Sequence, residues 1–164
     1  MTGDTRQAKG AGRGDACVAR PACVLTSDEE ISALLRSIRR IAVLGIKPAW
    51  TGKPAYYVAE YAQQAGYEIV PVPVYYPEVT EILGARVYRR LTDIQGVIDM
   101  VNVFRRSADV PAHVPDLIAV RPRAVWMQLG IRHDGAAAEL TTAGIDVVMD
   151  KCLLVEIERR AGRG

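Results

Sequence analysis

This chain of 164 residues is poor in cysteine, histidine and aromatic side chains, and it has no long hydrophobic run. Its three cysteines, Cys17, Cys23 and Cys152, are too few and too widely spaced for a disulfide framework or a zinc ligand set. Such sparse cysteine usage indicates a reducing, cytoplasmic environment. No apolar run reaches about 18 residues, the length that crosses a bilayer, so we expect no membrane association.

The domain that follows the N-terminal residues has no excess charge of either sign. Lysine and arginine exceed aspartate and glutamate by only two, 21 against 19. Residues 1–26 carry four basic and two acidic side chains, so residues 27–164 carry seventeen of each sign. Nucleic-acid-binding domains normally present a basic surface, and we therefore expect no nucleic-acid partner.

Common motifs of nucleotide-binding enzymes and hydrolases are also missing. Gly45 is followed by Ile46 and Lys47, not by the second glycine of the dinucleotide fingerprint, and no G-x-x-x-x-G-K-[ST] loop occurs. The chain has two histidines and no serine in a G-x-S-x-G turn, so it lacks the parts of a serine hydrolase. We expect no catalytic residue and no metal site.

The chain does contain a regular alternation of strand-like and helix-like segments. Residues 1–26 have no sustained period and are predicted to form a flexible N-terminal extension, whereas residues 27–164 are predicted to form one folded domain, which begins with a capping box at Ser27 and Glu30. The predicted strands are 41–45, 67–74, a short one at 87–88, 98–104, 124–127 and 145–149, and helices are predicted at 54–65 and 135–143. This alternation predicts an α/β fold with a parallel sheet covered by helices on both faces.

In such a sheet, ligands bind at the carboxyl ends of the strands. The first strand is followed by residues 45–53, a loop with two glycines, Lys47 and Lys53 that leads into a helix, which is typical of a phosphate site. Arg105 and Arg106 follow the third major strand and suit a ligand with several phosphates. The alternative is that both arginines simply begin the next helix on its solvated face.

Polar side chains elsewhere allow more than one role. His133 could act as a general base, but an exposed histidine in a loop is expected to be only polar, and His113 is expected on the surface. Cys152 lies beside Lys151 at the start of a helix, where a thiol could be reactive, although a space-filling role is favoured. Asp150 is expected to cap the helix that follows.

Six segments, in order, resemble the small stand-alone CoA-binding domain family, which is itself similar to the CoA-binding domain of the succinyl-CoA synthetase α subunit. The segments are Ile41–Gly45, Gly66–Val72, Glu81–Gly84, Asp99–Arg106, Trp126–Ile131 and Met149–Cys152. The resemblance covers about residues 38–158. It implies a Rossmann-like, mainly parallel five-stranded sheet with helices on both faces, which holds coenzyme A or an acyl-CoA by its ADP moiety at the carboxyl ends of the strands.

The resemblance also implies which residues contact the ligand. The loop after the first strand would approach the phosphates, the proline-rich end of the second strand would bound the adenine, and the end of the third major strand would face the ligand. Many relatives carry Asn-Pro where this chain has Pro73 and Val74 and then Tyr75 and Tyr76, so an amide able to bond the ribose or base is absent there. With Gln128 added as a polar strand end, the predicted set is Gly45, Ile46, Lys47, Pro48, Trp50, Thr51, Lys53, Pro71, Val72, Pro73, Val103, Phe104, Arg105, Arg106 and Gln128.

These observations predict a cytoplasmic domain that binds the small molecule coenzyme A or an acyl-CoA without catalysis of its own. They carry no prediction of its oligomeric state. One alternative is a CoA-supplying subunit of an acyl-CoA synthetase, which would support synthesis only together with a partner enzyme. The other is a regulator that senses NAD or another nucleotide. Such a sensor would change its oligomeric or interaction state when the nucleotide binds.

Overall fold

The computed structural model describes residues 20–163, which form a parallel sheet covered by helices on both faces. The strands are Arg40–Leu44 (β1), Glu68–Val72 (β2), Glu81–Ile82 (β3), Ala85–Arg86 (β4), Met100–Val103 (β5), Ala124–Met127 (β6) and Asp146–Val148 (β7). The α-helices are Asp28–Ser37 (α1), Pro54–Gln64 (α2), Val110–Val120 (α3), Asp134–Thr142 (α4) and Leu153–Ala161 (α5). Within residues 20–163, no helix has the length and apolarity that crossing a membrane requires.

The main sheet has the order β2-β1-β5-β6-β7, and every neighbouring pair is parallel. From β1 the chain goes outward to β2 at one edge, forms the antiparallel hairpin of β3 and β4, and then places β5 on the other side of β1. The strand order therefore reverses between β1 and β5. The predicted α/β, Rossmann-like, five-stranded sheet is confirmed, and open sheets of this kind bind ligands where the order reverses.

Apolar side chains fill both faces of the sheet. Because successive strand residues point to opposite faces, Val43 and Trp126 join the core beneath α1, α2 and α5, whereas Val101 and Met127 join the core beneath α3 and α4. Trp126 and Met127 are fully buried, as their place in an apolar run predicts. Two helical layers thus keep the sheet dry and leave its ends as the accessible edges.

The second strand differs from expectation at its prolines. Pro71 was expected at the end of the strand, but it lies within β2, opposite Val43 of β1. This position is tolerated because β2 is an edge strand, where a proline need not donate to a neighbouring strand. The Pro71 carbonyl accepts a hydrogen bond from the Tyr88 amide at 2.9 Å, while the short strand predicted at 87–88 forms instead at Ala85–Arg86.

The last part of the predicted N-terminal extension lies along β7. The Leu25 amide donates to the Val147 carbonyl at 2.8 Å, and the Val147 amide donates to the Cys23 carbonyl at 3.0 Å. The Leu25 side chain is buried in the core beneath α1, α2 and α5. The folded domain therefore begins before the helix cap, because this segment covers the edge of the sheet. Flexibility of residues 1–19 stays a prediction, since they lie outside the described residues.

The predicted capping box at the start of α1 is present. Ser27 Oγ accepts from the Glu30 amide, and Glu30 Oε2 accepts from the Ser27 amide, each at 3.2 Å. We expect Ser27→Ala to lower the free energy of unfolding by about 1 kcal/mol, because one helix-end amide loses its acceptor. Urea denaturation measures this loss. Ser27→Asp keeps an acceptor and should remain near wild type, so a similar loss in both variants would contradict the prediction.

Candidate functional site

The predicted ligand-binding segments lie at one edge of the sheet, where four neighbouring strands end. Residues 45–53 follow β1, residues 71–73 end β2, residues 103–106 end β5, and Gln128 follows β6. Because β2, β1, β5 and β6 are adjacent in that order, the four segments are neighbours in space. This edge, named here the carboxyl edge, contains the point where the strand order reverses.

Gly45 brings the backbones of β1 and β5 together. Its amide donates to the Val72 carbonyl at 2.8 Å, and the Phe104 amide donates to the Leu44 carbonyl at 2.8 Å. Gly45 has a φ of +87°, and a Cβ atom at this position would lie 2.3 Å from the Phe104 carbonyl oxygen. The backbones at Gly45 and Phe104 are so close that only glycine, which has no Cβ atom, fits at position 45.

The loop after Gly45 folds into a 3-10 turn before α2 begins. Thr51 Oγ1 donates to the Pro48 carbonyl at 2.8 Å, and the Thr51 amide donates to the same carbonyl at 3.1 Å. Lys53 occupies the N-cap position of α2, and its side chain makes no capping hydrogen bond. Pro54 has no amide hydrogen, and the Tyr56 amide donates to the Lys53 carbonyl at 2.8 Å, so what α2 brings to the carboxyl edge is the positive end of its dipole and not a row of free amides.

The cations at this edge have different surroundings. Within residues 20–163, neither Lys47 nor Lys53 has a carboxylate at salt-bridge distance, whereas Arg106 Nε lies 2.8 Å from Asp109 Oδ2. The side chain of Arg106 is 84% exposed, but that of Arg105 is only 15% exposed. The hydrogen bond from Arg106 lowers the pKa of the Asp109 carboxyl. The solvated-face alternative therefore describes Arg106 well and Arg105 poorly.

Three groups hold the guanidinium of Arg105. Its Nε donates to His113 Nε2 at 3.3 Å, its Nη2 lies 3.6 Å from Asp109 Oδ2, and its central carbon lies 5.6 Å from the centroid of the Tyr75 ring. His113 was expected on the surface, but it is half-buried in α3, because it lies on the side of the helix that faces Arg105. Burial and the charge of Arg105 lower the pKa of His113.

Exposed aromatic rings lie beside the cations. Trp50, in the loop after β1, is 72% exposed, and its ring meets the ring of Tyr76 edge to face with centroids 6.1 Å apart. Tyr75, which lies over Arg105, is also exposed. The sequence predicted Trp50 as a ligand contact, whereas the two tyrosines stood out only as a departure from the pattern of relatives. Together they present flat apolar surface to a planar group.

Asn102, in β5, is a polar residue that sequence analysis missed. It is fully buried, and neither its Oδ1 nor its Nδ2 has a hydrogen-bond partner among the described residues. It pairs in register with Val43 and Trp126, and the alternation along β5 places it on the face covered by α2 and α5. An unpaired buried amide is costly, so this position favours a water molecule or ligand atom nearby. Its signal in the sequence is a lone polar residue within an apolar run.

Several members of the predicted set have side chains that point into the protein. Ile46, Val72 and Val103 are almost wholly buried in the cores, backbone included, so their contact with a ligand stays a prediction. Gln128 is also buried, and its Oε1 accepts from the Leu153 amide at 3.3 Å. The Gln128 side-chain oxygen thus caps α5, and its contact with a ligand stays a prediction.

Other polar residues that the sequence singled out have structural contacts. His133 Nδ1 accepts from the Ala136 amide at 3.0 Å and caps α4. Asp150 was expected to cap the next helix, which is wrong: its Oδ1 accepts from the Gly130 amide at 2.7 Å, and Cys152 occupies the N-cap position of α5. Among the described residues, no group of three histidine, cysteine or acidic side chains could hold a metal ion.

Comparison with known proteins identifies a family and a curated relative. The family model described as a CoA binding domain matches residues 39–158. An uncharacterized protein of Bacillus subtilis (strain 168), YneT, is 36% identical over 129 residues, which make up 79% of this chain and 93% of that protein. The similarity therefore extends over almost the whole of the relative.

Solved structures share the fold over most of their length. A protein from Thermus thermophilus has a TM-score of 0.75 and 38% identity, with 82% of this chain and 98% of that chain covered. A hypothetical protein from Pyrococcus horikoshii OT3 has a TM-score of 0.75 and 28% identity, with 82% of this chain and 92% of that chain covered. The α/β architecture described above is thus that of experimentally solved relatives.

Proposed function

This chain belongs to the CoA-binding domain family, and from that premise we propose that it binds coenzyme A or an acyl-CoA through the ADP moiety at the carboxyl edge. The observation that carries the proposal is the meeting of three features where the strand order reverses. These are the loop 45–53, the uncapped beginning of α2 and the guanidinium of Arg105. Backbone amides, a helix N-terminus and cations together suit the phosphates of this ligand.

The described residues offer a complementary partner to each part of the ADP moiety. Lys47 and Lys53 lack carboxylate partners within the described chain, so their charges are available to the diphosphate. Arg105, held in place by protein groups, would contact the 3′-phosphate, since a fixed guanidinium recognises phosphate by geometry as well as by charge. The exposed ring of Trp50 and the proline-rich segment 71–73 would bound the adenine.

The end of β2 supports CoA over a dinucleotide. A dinucleotide-binding sheet normally places an aspartate or glutamate at this strand end, where it accepts from the ribose hydroxyl. Here β2 ends at Val72 and is followed by Pro73, and both side chains are buried. A ribose at this edge would therefore find no carboxylate, which disfavours the NAD-sensing alternative.

The proposal includes no catalytic step by this chain. Each of its histidines already accepts a structural hydrogen bond, His133 from the Ala136 amide and His113 from Arg105. These contacts support a binding role in which any acyl transfer belongs to a partner enzyme. Under that arrangement the chain alone would bind CoA and release no product.

Calorimetric titration of the reduced protein with CoA, acetyl-CoA, NAD and ATP tests the proposal. We expect saturable binding of CoA and acetyl-CoA, with NAD and ATP weaker by at least about tenfold, or about 1.4 kcal/mol. Lys53→Ala should weaken CoA binding. Arg123→Ala is the control: it removes a cation that precedes β6, at the opposite end of the strands, and should leave CoA binding unchanged. Tight binding of NAD or ATP without binding of CoA would overturn the proposal.

A further inference from the structure

His113, one of the three groups that hold Arg105, is not itself part of the proposed contact surface. His113 lies in α3, and its Nε2 accepts a hydrogen bond from Arg105 Nε at 3.3 Å. The Nε–H group points away from Nη1, so this contact leaves Nη1 uncovered. Tyr75 covers one face of the same group, and Asp109 lies 3.6 Å from Nη2. Within residues 20–163, Arg105 Nη1 has no hydrogen-bond partner. The contacts thus fix the guanidinium and leave part of its donor set free.

We propose that His113 is a positioning residue: its neutral imidazole holds Arg105 by the Nε–H and keeps the remaining N–H groups available to a ligand phosphate. This inference rests on the proposed function and adds a determinant of affinity that does not itself touch the ligand. The five N–H groups of a guanidinium lie in one plane at fixed angles. A hydrogen bond that holds the Nε–H group therefore also orients the other N–H groups. An Arg105 side chain without this contact would have to be ordered when the ligand binds, which costs affinity.

The contact requires an unprotonated Nε2. A protonated imidazole has no lone pair to accept with, and it would place a second positive charge beside the guanidinium. Protonation of His113 therefore breaks the contact and repels Arg105. The neutral form prevails near neutral pH because burial and Arg105 hold the pKa of His113 below its usual value.

Charged groups on the surrounding elements act on the neutral form of His113 in both directions. Arg105, from the segment after β5, disfavours the imidazolium, whereas Asp109 and Asp116, from the turn before α3 and from α3, favour it. Both carboxylates are engaged elsewhere, Asp109 with Arg106 at 2.8 Å and Asp116 with Arg90 at 2.9 Å. Their pairing with arginines weakens their pull on the proton of His113.

The pH dependence of CoA binding tests this role, with His113→Gln as the matched control. Glutamine offers Oε1 as an acceptor for Arg105 but does not titrate. As the pH falls from about 8 through the pKa of His113, wild-type affinity should decrease roughly three- to tenfold more than that of His113→Gln, the effect of losing about one hydrogen bond. The phosphate of the ligand also titrates, near a pKa of about 6, but it does so equally with both proteins.

A second variant and a ligand-free measurement complete the test. His113→Ala should bind CoA roughly three- to tenfold more weakly than wild type at about pH 8 and should show the pH profile of His113→Gln. Parallel profiles for wild type and His113→Gln, or wild-type affinity for His113→Ala, would overturn the inference. In nuclear magnetic resonance spectra without ligand, the Arg105 Nε–H signal should shift as His113 titrates. If wild type binds no CoA at any pH, the proposed function fails, and this signal alone decides whether His113 positions Arg105.

Discussion

Arg105→Ala should weaken binding of CoA by about 1.5–3 kcal/mol, the typical contribution of a hydrogen bond to a charged group. In affinity this corresponds to roughly ten- to 150-fold. The expectation follows from the placement of Arg105: its side chain is 15% exposed and is fixed by His113 and Tyr75, so little ordering is needed on binding. Calorimetric titration of the variant with CoA measures the change.

Arg106→Ala is the matched control for this prediction. Arg106 is the next residue along the chain and carries the same charge, but its side chain is 84% exposed and hydrogen-bonded to Asp109. We expect its loss to change affinity by less than about threefold, because an exposed, solvated cation contributes little. Equal effects of the two substitutions would contradict the distinction that the structure makes between them.

Dephospho-CoA reports which phosphate Arg105 contacts. Dephospho-CoA lacks the 3′-phosphate of CoA. If the guanidinium binds this phosphate, Arg105→Ala should weaken the binding of CoA and leave the affinity for dephospho-CoA almost unchanged. Equal losses for both ligands would place Arg105 at the diphosphate instead. Unchanged affinity for both would remove Arg105 from the site.

The fold could be predicted because its strands are short, nearly continuous apolar runs. Runs such as 41–44 and 124–127 are typical of strands buried on both faces, and parallel neighbours in a sheet require crossover connections, which the helical segments between the runs supply. The place of Pro71 within β2 could not be read from this pattern. Whether a proline fits a strand depends on which edge is free, and that is decided by strand order, which involves residues distant in sequence.

The candidate site was predictable in its segments but not in its contacts. Strand ends and the loop 45–53 follow from the local sequence, so they could be named in advance. The difference between Arg105 and Arg106 arises from partners on other elements, Tyr75 after β2 and His113 in α3. No local pattern encodes such a contact, because each partner depends on how a helix or loop packs after folding. The pairing of residues 23–25 with the edge strand β7 also could not be predicted, because it joins segments that are distant in the sequence.

Gly45→Ala should lower the free energy of unfolding by about 2–5 kcal/mol. The positive φ of +87° costs an L-residue about 1–2 kcal/mol. The added Cβ would also lie 2.3 Å from the Phe104 carbonyl oxygen, and forcing extra atoms into a close-packed site costs about 1–3 kcal/mol more. The neighbour is backbone and cannot rotate away, so β1 and β5 would have to separate at the carboxyl edge. Urea denaturation measures the loss of stability.

Gly52→Ala separates the effect of backbone conformation from that of the close approach. Gly52 lies in the same loop and also has a positive φ, +59°, but apart from its chain neighbours no described residue has an atom within 4 Å of its would-be Cβ. Its substitution should therefore cost only about 1–2 kcal/mol, the cost of the left-handed conformation. Equal losses in the two variants would show that conformation alone explains Gly45. A larger loss at Gly45 would mean that the joint between β1 and β5, on which the spacing of the loop from Arg105 depends, tolerates no side chain.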